Sequence, residues 1–508
     1  MPKPFFTHRA SRILCLLLVL LTTPAQAETV ASQLPDIGAA GYSALSPREE
    51  EQLGREFMRN IRHNLNLLDD PLATTYLQGL ADKLLSQVNE ATQKITIFIV
   101  DDPSINAFAG PGGYIGVHTG LILASRSEAE LASVVAHEIA HVEQRHLVRA
   151  FEAGNRMSLP TMGALIAAII LGASNPEISE AVLTSALAGS AQQQLSYSRA
   201  HEQEADRIGL DLLVHAGYNP RSMVDFFEKL QEKQRLIGAA APEFLRTHPL
   251  TLSRVADARN RAAQYSPPST EDNSTFRLFQ ARIAVYADNA EEFALFDDQD
   301  EQTEAGRYYR ALNAAKNERY DEARILLRKL IASDRNRMMF YADAAQLELD
   351  SKNLPQAQKI LMEALNNFPG NALLIELYAQ TLLRQNQVPQ AFEILKEALR
   401  AYPQQYRLYP LYAKAAARHG RQDEAYRALG ELQYALGSLH QAVTYLEQAV
   451  AETADSSYER LSLIARLKTM KQQLLEQAKS KENDQQHDEL VPPRQTTRPL
   501  TGADLFSR

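Results

Sequence analysis

The sequence predicts a mainly α-helical protein with one small β-sheet near its front and an all-helical repeat solenoid behind it. Three observations carry this prediction. Apolar residues recur with helical spacing along much of the 508-residue chain. Around residues 94–118 the pattern switches briefly to β-branched, apolar strands. From about residue 303 the helical pattern repeats every 34 residues. A chain of this length exceeds a single core, so two or three domains are expected.

The first 27 residues have the build of a signal peptide. Lys3, Arg9 and Arg12 make a basic start, residues 13–21 are an apolar run too short to span a bilayer, and Ala25-Gln26-Ala27 is a small-x-small cleavage site. The expectation is export, with a mature chain starting at Glu28; a retained N-terminal anchor is the alternative. Cys15, the one cysteine, lies in the apolar run and is not preceded by a lipoprotein-type pattern. A mature chain without thiols has neither disulfide staples nor thiolate chemistry. The formal charge is −9, and becomes more negative when the three basic leader residues are removed. That balance argues against a nucleic-acid partner.

Residues 28–45 lack periodicity and read as a leader. Ser46-Pro47, followed by Glu49, Glu50 and Glu51, opens a helix, and a second helix covers about 70–88. Residues 94–100 (KITIFIV) form a strand that Asp101-Asp102-Pro103 ends. Residues 106–113 read as a turn-rich loop and 113–118 as a second short strand. Ser127-Glu128-Ala129-Glu130 is a capping box that opens a helix running to about residue 151. Residues 159–173 carry no charge. A further long helix covers about 191–215 and stops at Gly217. These elements make one domain over 46–265. A linker and connecting helix follow over 266–302, with SPPSTEDNST at 266–275 as the linker signal.

The third region, 303–479, is repetitive. Ala323, Ala357, Ala391 and Ala425 are spaced by 34, each in a similar frame. A small residue stands twelve positions earlier in each (Ala311, Ala345, Ala379, Ala413), and a leucine four later (Leu327, Leu361, Leu395, Leu429). This is a tetratricopeptide pattern, in which small residues let paired helices approach and leucines fill the groove between repeats. One more alanine-centred helix, around Ala442, comes after half a period, so the array is expected to end on a half-repeat. Residues 480–508 are polar, carry Pro492-Pro493 and read as a disordered tail.

The chemistry is concentrated in His137-Glu138-Ile139-Ala140-His141. On a helix, His137 and His141 project from one face and can bind one Zn²⁺, so one zinc per chain is expected. Glu138 lies beside the first ligand, placed to take the proton of a zinc-activated water as it attacks a carbonyl. A catalytic zinc needs a third protein ligand. In His201-Glu202-Gln203-Glu204-Ala205-Asp206, Glu202 and Asp206 share a helix face, Glu204 points away, and His201 lies well off that face. Glu202 is therefore assigned to the metal. Asp206 is expected either to hold the free N–H of a ligand histidine or to pair with a neighbouring arginine such as Arg199 or Arg207.

Together with Ser198-Arg199, Asn106-Ala107-Phe108, Pro111-Gly112-Gly113 and Gly120-Leu121, these motifs resemble the M48 peptidase family over about residues 46–260. The resemblance implies a gluzincin-type zincin fold with Glu202 as third ligand and Asp206 as a catalytic-site acid. With the signal peptide and repeats added, the whole chain is similar to periplasmic members of that family in Gram-negative bacteria. That implies action on misfolded or stalled outer-membrane β-barrel proteins, and docking of the repeats near the barrel insertion machinery. Thr247-His248-Pro249, with Arg254 behind it, also fits the family pattern. His248 has two functional readings: donor to the oxyanion of the intermediate, or fourth zinc ligand that keeps the enzyme latent. The second is preferred.

Residues 159–173 reach about 22 Å as a helix, short of a bilayer core. A buried or site-covering hairpin with 177–191 is expected, with peripheral membrane contact as the alternative. Strand 113–118 is expected beside the metal cleft. There Gly113, Tyr114 and Ile115, with Asn106 from the preceding loop, would pair with an extended substrate by strand addition. Two functions follow: a zinc metalloendopeptidase with chaperone-like action, or a non-hydrolytic assembly factor that holds barrel precursors in its solenoid around a structural zinc.

Overall fold

The computed structural model describes residues 46–86, 94–152, 199–237, 243–268, 272–288, 296, 302–454 and 457–489. The expected signal peptide, the expected leader and the uncharged 159–173 segment with its expected hairpin partner lie outside them. Among the described residues no helix is long and apolar enough to cross a membrane.

Helix α1 (Pro47–Asn64) starts as its sequence requires. The Ser46 hydroxyl accepts from the Glu49 amide, and the Glu49 carboxylate accepts from the Ser46 amide at 2.7 Å. Asp70 caps α2 (Pro71–Leu85) by accepting from the Ala73 amide. Three strands follow: β1 (Thr96–Val100), β2 (Ala107–Ala109) and β3 (Tyr114–His118). Their order in the sheet is β1-β3-β2, with β1 parallel and β2 antiparallel to β3. The expected loop over 106–113 is thus partly a strand, since a three-residue AFA run is too short to show a period of two.

After α3 (Thr119–Ala124), Ser127 opens α4 (Glu128–Glu143) by accepting from the Glu130 amide. The expected capping box is only half made. Glu130 gives its carboxylate to the Arg126 amide and to Lys229 rather than back to Ser127. Every side chain of α4 from Ala129 to Val142 is buried, so this helix is the spine of the front half. It also ends earlier than expected. Arg145 takes φ 51°, and the chain restarts as α5 (His146–Glu152) in a new direction. The helices α6 (Arg199–His215) and α7 (Arg221–Ile237) pack against α4, with Gly217 at φ 79° ending α6. At Gly209 a Cβ would stand 3.1 Å from the His137 amide nitrogen, so glycine permits the close approach of α6 to α4. A short α8 (Glu243–Thr247) leads through His248 to α9 (Leu252–Ala262).

Helix α10 (Ser274–Tyr286) joins the halves. Phe276, Phe279 and Ile283 belong to the front core, whereas Leu278, Ala281 and Val285 belong to the first repeat core. Arg282, buried between them, donates to Asp70 and Asp343 at 2.8 Å each and to the Tyr308 hydroxyl at 2.9 Å. Asp70 is the N-cap of α2 and Asp343 lies within the repeats, so one guanidinium ties both halves together.

The repeats are antiparallel helix pairs: α11 (Glu304–Lys316), α12 (Tyr320–Ser333), α13 (Met338–Asp350), α14 (Leu354–Asn367), α15 (Ala372–Arg384), α16 (Val388–Ala401), α17 (Tyr409–Arg418) and α18 (Gln422–Ala435). The alanines singled out by the 34-residue period are all buried, as are Leu327, Leu361 and Leu395; Leu429 is half-buried. Helix α19 (Leu439–Glu452) carries Ala442 and packs on α20 (Tyr458–Glu489), so a helix pair closes the array rather than a half-repeat. Helix α20 also runs into the segment expected to be disordered. Its residues 471–489 are rich in Gln, Glu and Lys, which favour helix whether or not a core holds them.

Candidate metal centre

His137 and His141 stand one turn apart near the end of α4 and project from the same face. Helix α6 lies against that face and brings up Glu202 and Asp206, also one turn apart. His248 arrives from the loop after α8. His137, His141, Glu202 and His248 are all buried, and each offers a ligand atom within 4.8 Å of the others.

His137 Nε2 lies 3.0 Å from His141 Nε2 and 3.3 Å from His248 Nδ1. Glu202 Oε1 lies 3.3 Å from His141 Nε2 and 3.1 Å from His248 Nδ1, while its Oε2 is 3.6 Å from His137 Nε2. Ring nitrogens facing one another at such distances need a shared proton or a shared cation. Four donors at about 2.0 Å from one tetrahedral zinc are separated by about 3.3 Å. The observed separations centre on that value, and imidazole with carboxylate is a zinc donor set. The residues fit the ion.

The surroundings set the charge of each group. Burial disfavours the imidazolium of His137, but Asp206 and Glu202 override it and hold the group up at about 9. Burial drives His141 well below the ordinary histidine range. Burial would raise Glu202, yet His248, His137 and His141 hold it well below the usual carboxylate range. One carboxylate and three imidazoles thus converge, and a metal ion binding there would displace the proton of His137. Glu138 differs: fully buried, it is raised chiefly by desolvation, the shift a group needs to take and return a proton. Its Oε1 lies 3.4 Å from His248 Nε2, and the Ala109 amide faces its carboxylate.

Around these groups stands a second layer. Asp206 Oδ1 lies 3.0 Å from His137 Nδ1, as expected of a residue that fixes the histidine's orientation. Its arginine partner is neither Arg199 nor Arg207. Arg254 of α9 forks onto it, Nε to Oδ2 at 2.6 Å and Nη2 to Oδ1 at 2.7 Å, and also reaches Glu202 Oε2 at 2.7 Å. The Arg254 fork and His137 hold Asp206 below the carboxylate range although burial would raise it. Arg254 stands behind His248 in the sequence, where nothing local gives it a role. His146 carries no signal in the sequence either. That ring's Nδ1 is 2.9 Å from His141 Nδ1, and its Nε2 is 3.1 Å from Glu204 Oε2. The turn at Arg145 folds His146 back, and an uninterrupted helix would have carried it off the face.

The expected substrate strand is corrected. β3 is the central strand: Ile115 is paired with both Ile97 and Ala109, and the Tyr114 carbonyl accepts from the Gly110 amide. Gly113 lies in the buried turn before it. Backbone groups already used in the ladder cannot receive another chain. The outer strand beside the metal centre is β2, whose Ala109 faces Glu138. Asn106 points inward and gives its amide to Glu243 Oε1 at 2.9 Å.

Buried HExxH histidines, a carboxylate from a second helix and a raised glutamate define a metal-dependent peptidase centre. The model of peptidase family M48 matches residues 71–262, and a tetratricopeptide repeat model matches residues 348–409. Over 348 residues the chain is 37% identical to the "Beta-barrel assembly-enhancing protease" of Escherichia coli (strain K12), covering 67% of this chain and 71% of that one. The "Putative beta-barrel assembly-enhancing protease" of Vibrio cholerae is similar to the same extent. The "Mitochondrial metalloendopeptidase OMA1" of Arabidopsis thaliana is 32% identical over 177 residues, 35% of this chain and 31% of that one. The chain belongs to peptidase family M48: it is a zinc metallopeptidase with tetratricopeptide repeats.

Proposed function

We propose that this chain is a periplasmic zinc metalloendopeptidase that also assists folding, acting in quality control and assembly of outer-membrane β-barrel proteins. The convergence of His137, His141 and Glu202 beside a buried Glu138 carries the hydrolytic part. The relatives named as β-barrel assembly-enhancing proteases support the barrel substrates. The signal-peptide pattern supports export, and the repeat array supplies a surface for precursors and for the barrel insertion machinery.

In the proposed mechanism His137, His141 and Glu202 hold the zinc. When bound, zinc supplies Lewis acidity to a peptide carbonyl and lowers the pKa of a water. Glu138 accepts the proton of the attacking water and returns it to the leaving amine. Asp206 keeps His137 turned towards the metal, and Arg254 keeps Asp206 ionised. β2 offers its outer edge to an extended substrate, so the enzyme selects unpaired backbone rather than sequence.

His248 is the latent-state ligand in this reading. Its Nδ1 lies 3.3 Å from His137 Nε2 and 3.1 Å from Glu202 Oε1, so it would join them in holding the zinc, and its Nε2 lies 3.4 Å from Glu138 Oε1, where it would crowd the general base. The test uses two variants. Glu138→Gln should abolish cleavage of a misassembled barrel protein while leaving assistance to assembly; normal cleavage by that variant sinks the hydrolytic reading and favours a structural zinc. His248→Ala should raise proteolysis, and lost activity would mean that His248 serves the reaction instead.

A further inference from the structure

A second set of metal-ligating side chains lies outside the centre. Asp102, His118 and Glu243 each offer a ligand atom within 4.8 Å of the other two. They come from three segments: the loop after β1, the end of β3 and the first residue of α8. Asn106 belongs to the same group, because its Nδ2 donates to Glu243 Oε1 at 2.9 Å. Two atoms here are buried with no hydrogen-bond partner among the described residues, Asn106 Oδ1 and His118 Nε2. The residues are 3% and 0% exposed. Rotating the Asn106 amide offers no cure, since Oδ1 would then face the Glu243 carboxylate, acceptor against acceptor. The other ring nitrogen, His118 Nδ1, is 2.8 Å from Ser104 Oγ and 3.5 Å from Asp102 Oδ1. Nδ1, the ring nitrogen on the Asp102 side, is therefore the one that an ion shared with Asp102 would meet.

We propose that Asp102, Asn106, His118 and Glu243 form a second divalent-cation site, distinct from the zinc centre and suited to a manganese-class ion. One imidazole, two carboxylates and an amide oxygen make an oxygen-rich set of mixed hardness, which suits Mn²⁺. Two donors about 2.2 Å from one ion lie at most about 4.4 Å apart, so a small closure of side chains already within 4.8 Å lets one ion span this cluster. The Asp102 side chain is 26% exposed, which gives the ion a way in.

The ion would fasten α8 to the loop between β1 and β2. That junction already carries the Asn106–Glu243 bond and a bond from the Phe244 amide to the Ile105 carbonyl at 3.3 Å. The Phe244 ring stacks on His248 at 4.7 Å. Binding at Glu243 therefore restrains the segment that carries His248 into the centre. The effect on activity rests on the proposed role of His248; the ion site does not.

Titrating the zinc-loaded full-length protein with Mn²⁺, followed by electron paramagnetic resonance, tests this. Mn²⁺ is the weakest competitor for nitrogen and oxygen sites among the first-row divalent ions, so the zinc stays in place. The expected result is one bound Mn²⁺ per chain, weakened about tenfold or more in Asp102→Asn and in Glu243→Gln. Zinc content, measured on the same samples, should not change. No Mn²⁺ uptake by the wild type, or equal uptake by both variants, overturns the site. Amide exchange over residues 243–247 should slow on Mn²⁺ addition, and unchanged exchange overturns the fastening role. Failure of the Glu138→Gln test leaves both readouts untouched.

Discussion

Replacing Arg254 with methionine should weaken both the fold and the metal centre, and the two losses can be read separately. Arg254 is buried and satisfies Asp206 with two short bonds, Glu202 with a third contact and the Pro249 carbonyl with a fourth. Methionine fills similar space but leaves Asp206 buried with His137 as its remaining charged neighbour. Breaking a buried pair from one side costs about 3–5 kcal/mol. At roughly 2–4 °C per kcal/mol for a domain of this size, the front half should melt roughly 6–20 °C lower. Loss of support to a ligand histidine should also weaken zinc binding by about 10–100-fold, measured by chelator competition. Arg254→Lys keeps the charge and loses the fork, so it should fall between the two. Unchanged melting together with unchanged zinc affinity in Arg254→Met would refute the idea that Arg254 anchors the centre.

Other perturbations follow from the same geometry. His146→Phe keeps the ring stacked on His201 but removes the contact to His141. It should weaken zinc binding about tenfold or more, with partial rescue by His146→Gln. Gly209→Val pushes α6 away from the backbone around His137 and should cost about 1–3 kcal/mol in denaturant titrations. Arg282→Met strands Asp70 and Asp343 between the halves. The junction should open for about 3–5 kcal/mol less, seen as faster proteolysis near α10, and unchanged cleavage would show that apolar packing alone holds it.

Much of the solenoid was legible because its signal is periodic and local. A helix pair repeats its small and large residues at fixed offsets, and each pair meets chiefly its neighbours. Hence the alanines of the 34-residue frame are the buried ones. The start of α1 was legible for the same reason, since a serine and a glutamate three residues apart decide it. The misreadings have local causes too. β2 is too short to display alternation, and the break at Arg145 comes from a left-handed backbone in a residue type that does not announce it.

The histidine pair on α4, the carboxylate pair on α6 and the spacing that turns each pair to one side of its helix are legible in the chain alone, because the helical period of 3.6 is a local property of the backbone. Tertiary structure decided what meets what. His248 reaches His137 across 111 residues, Arg254 reaches Asp206 across 48, and Asn106 reaches Glu243 across 137. It also placed β3 in the middle of the sheet and left β2 beside Glu138. Spacing along a helix orients a side chain; its partner is decided by how helices and strands pack, and that depends on the shape of the whole core.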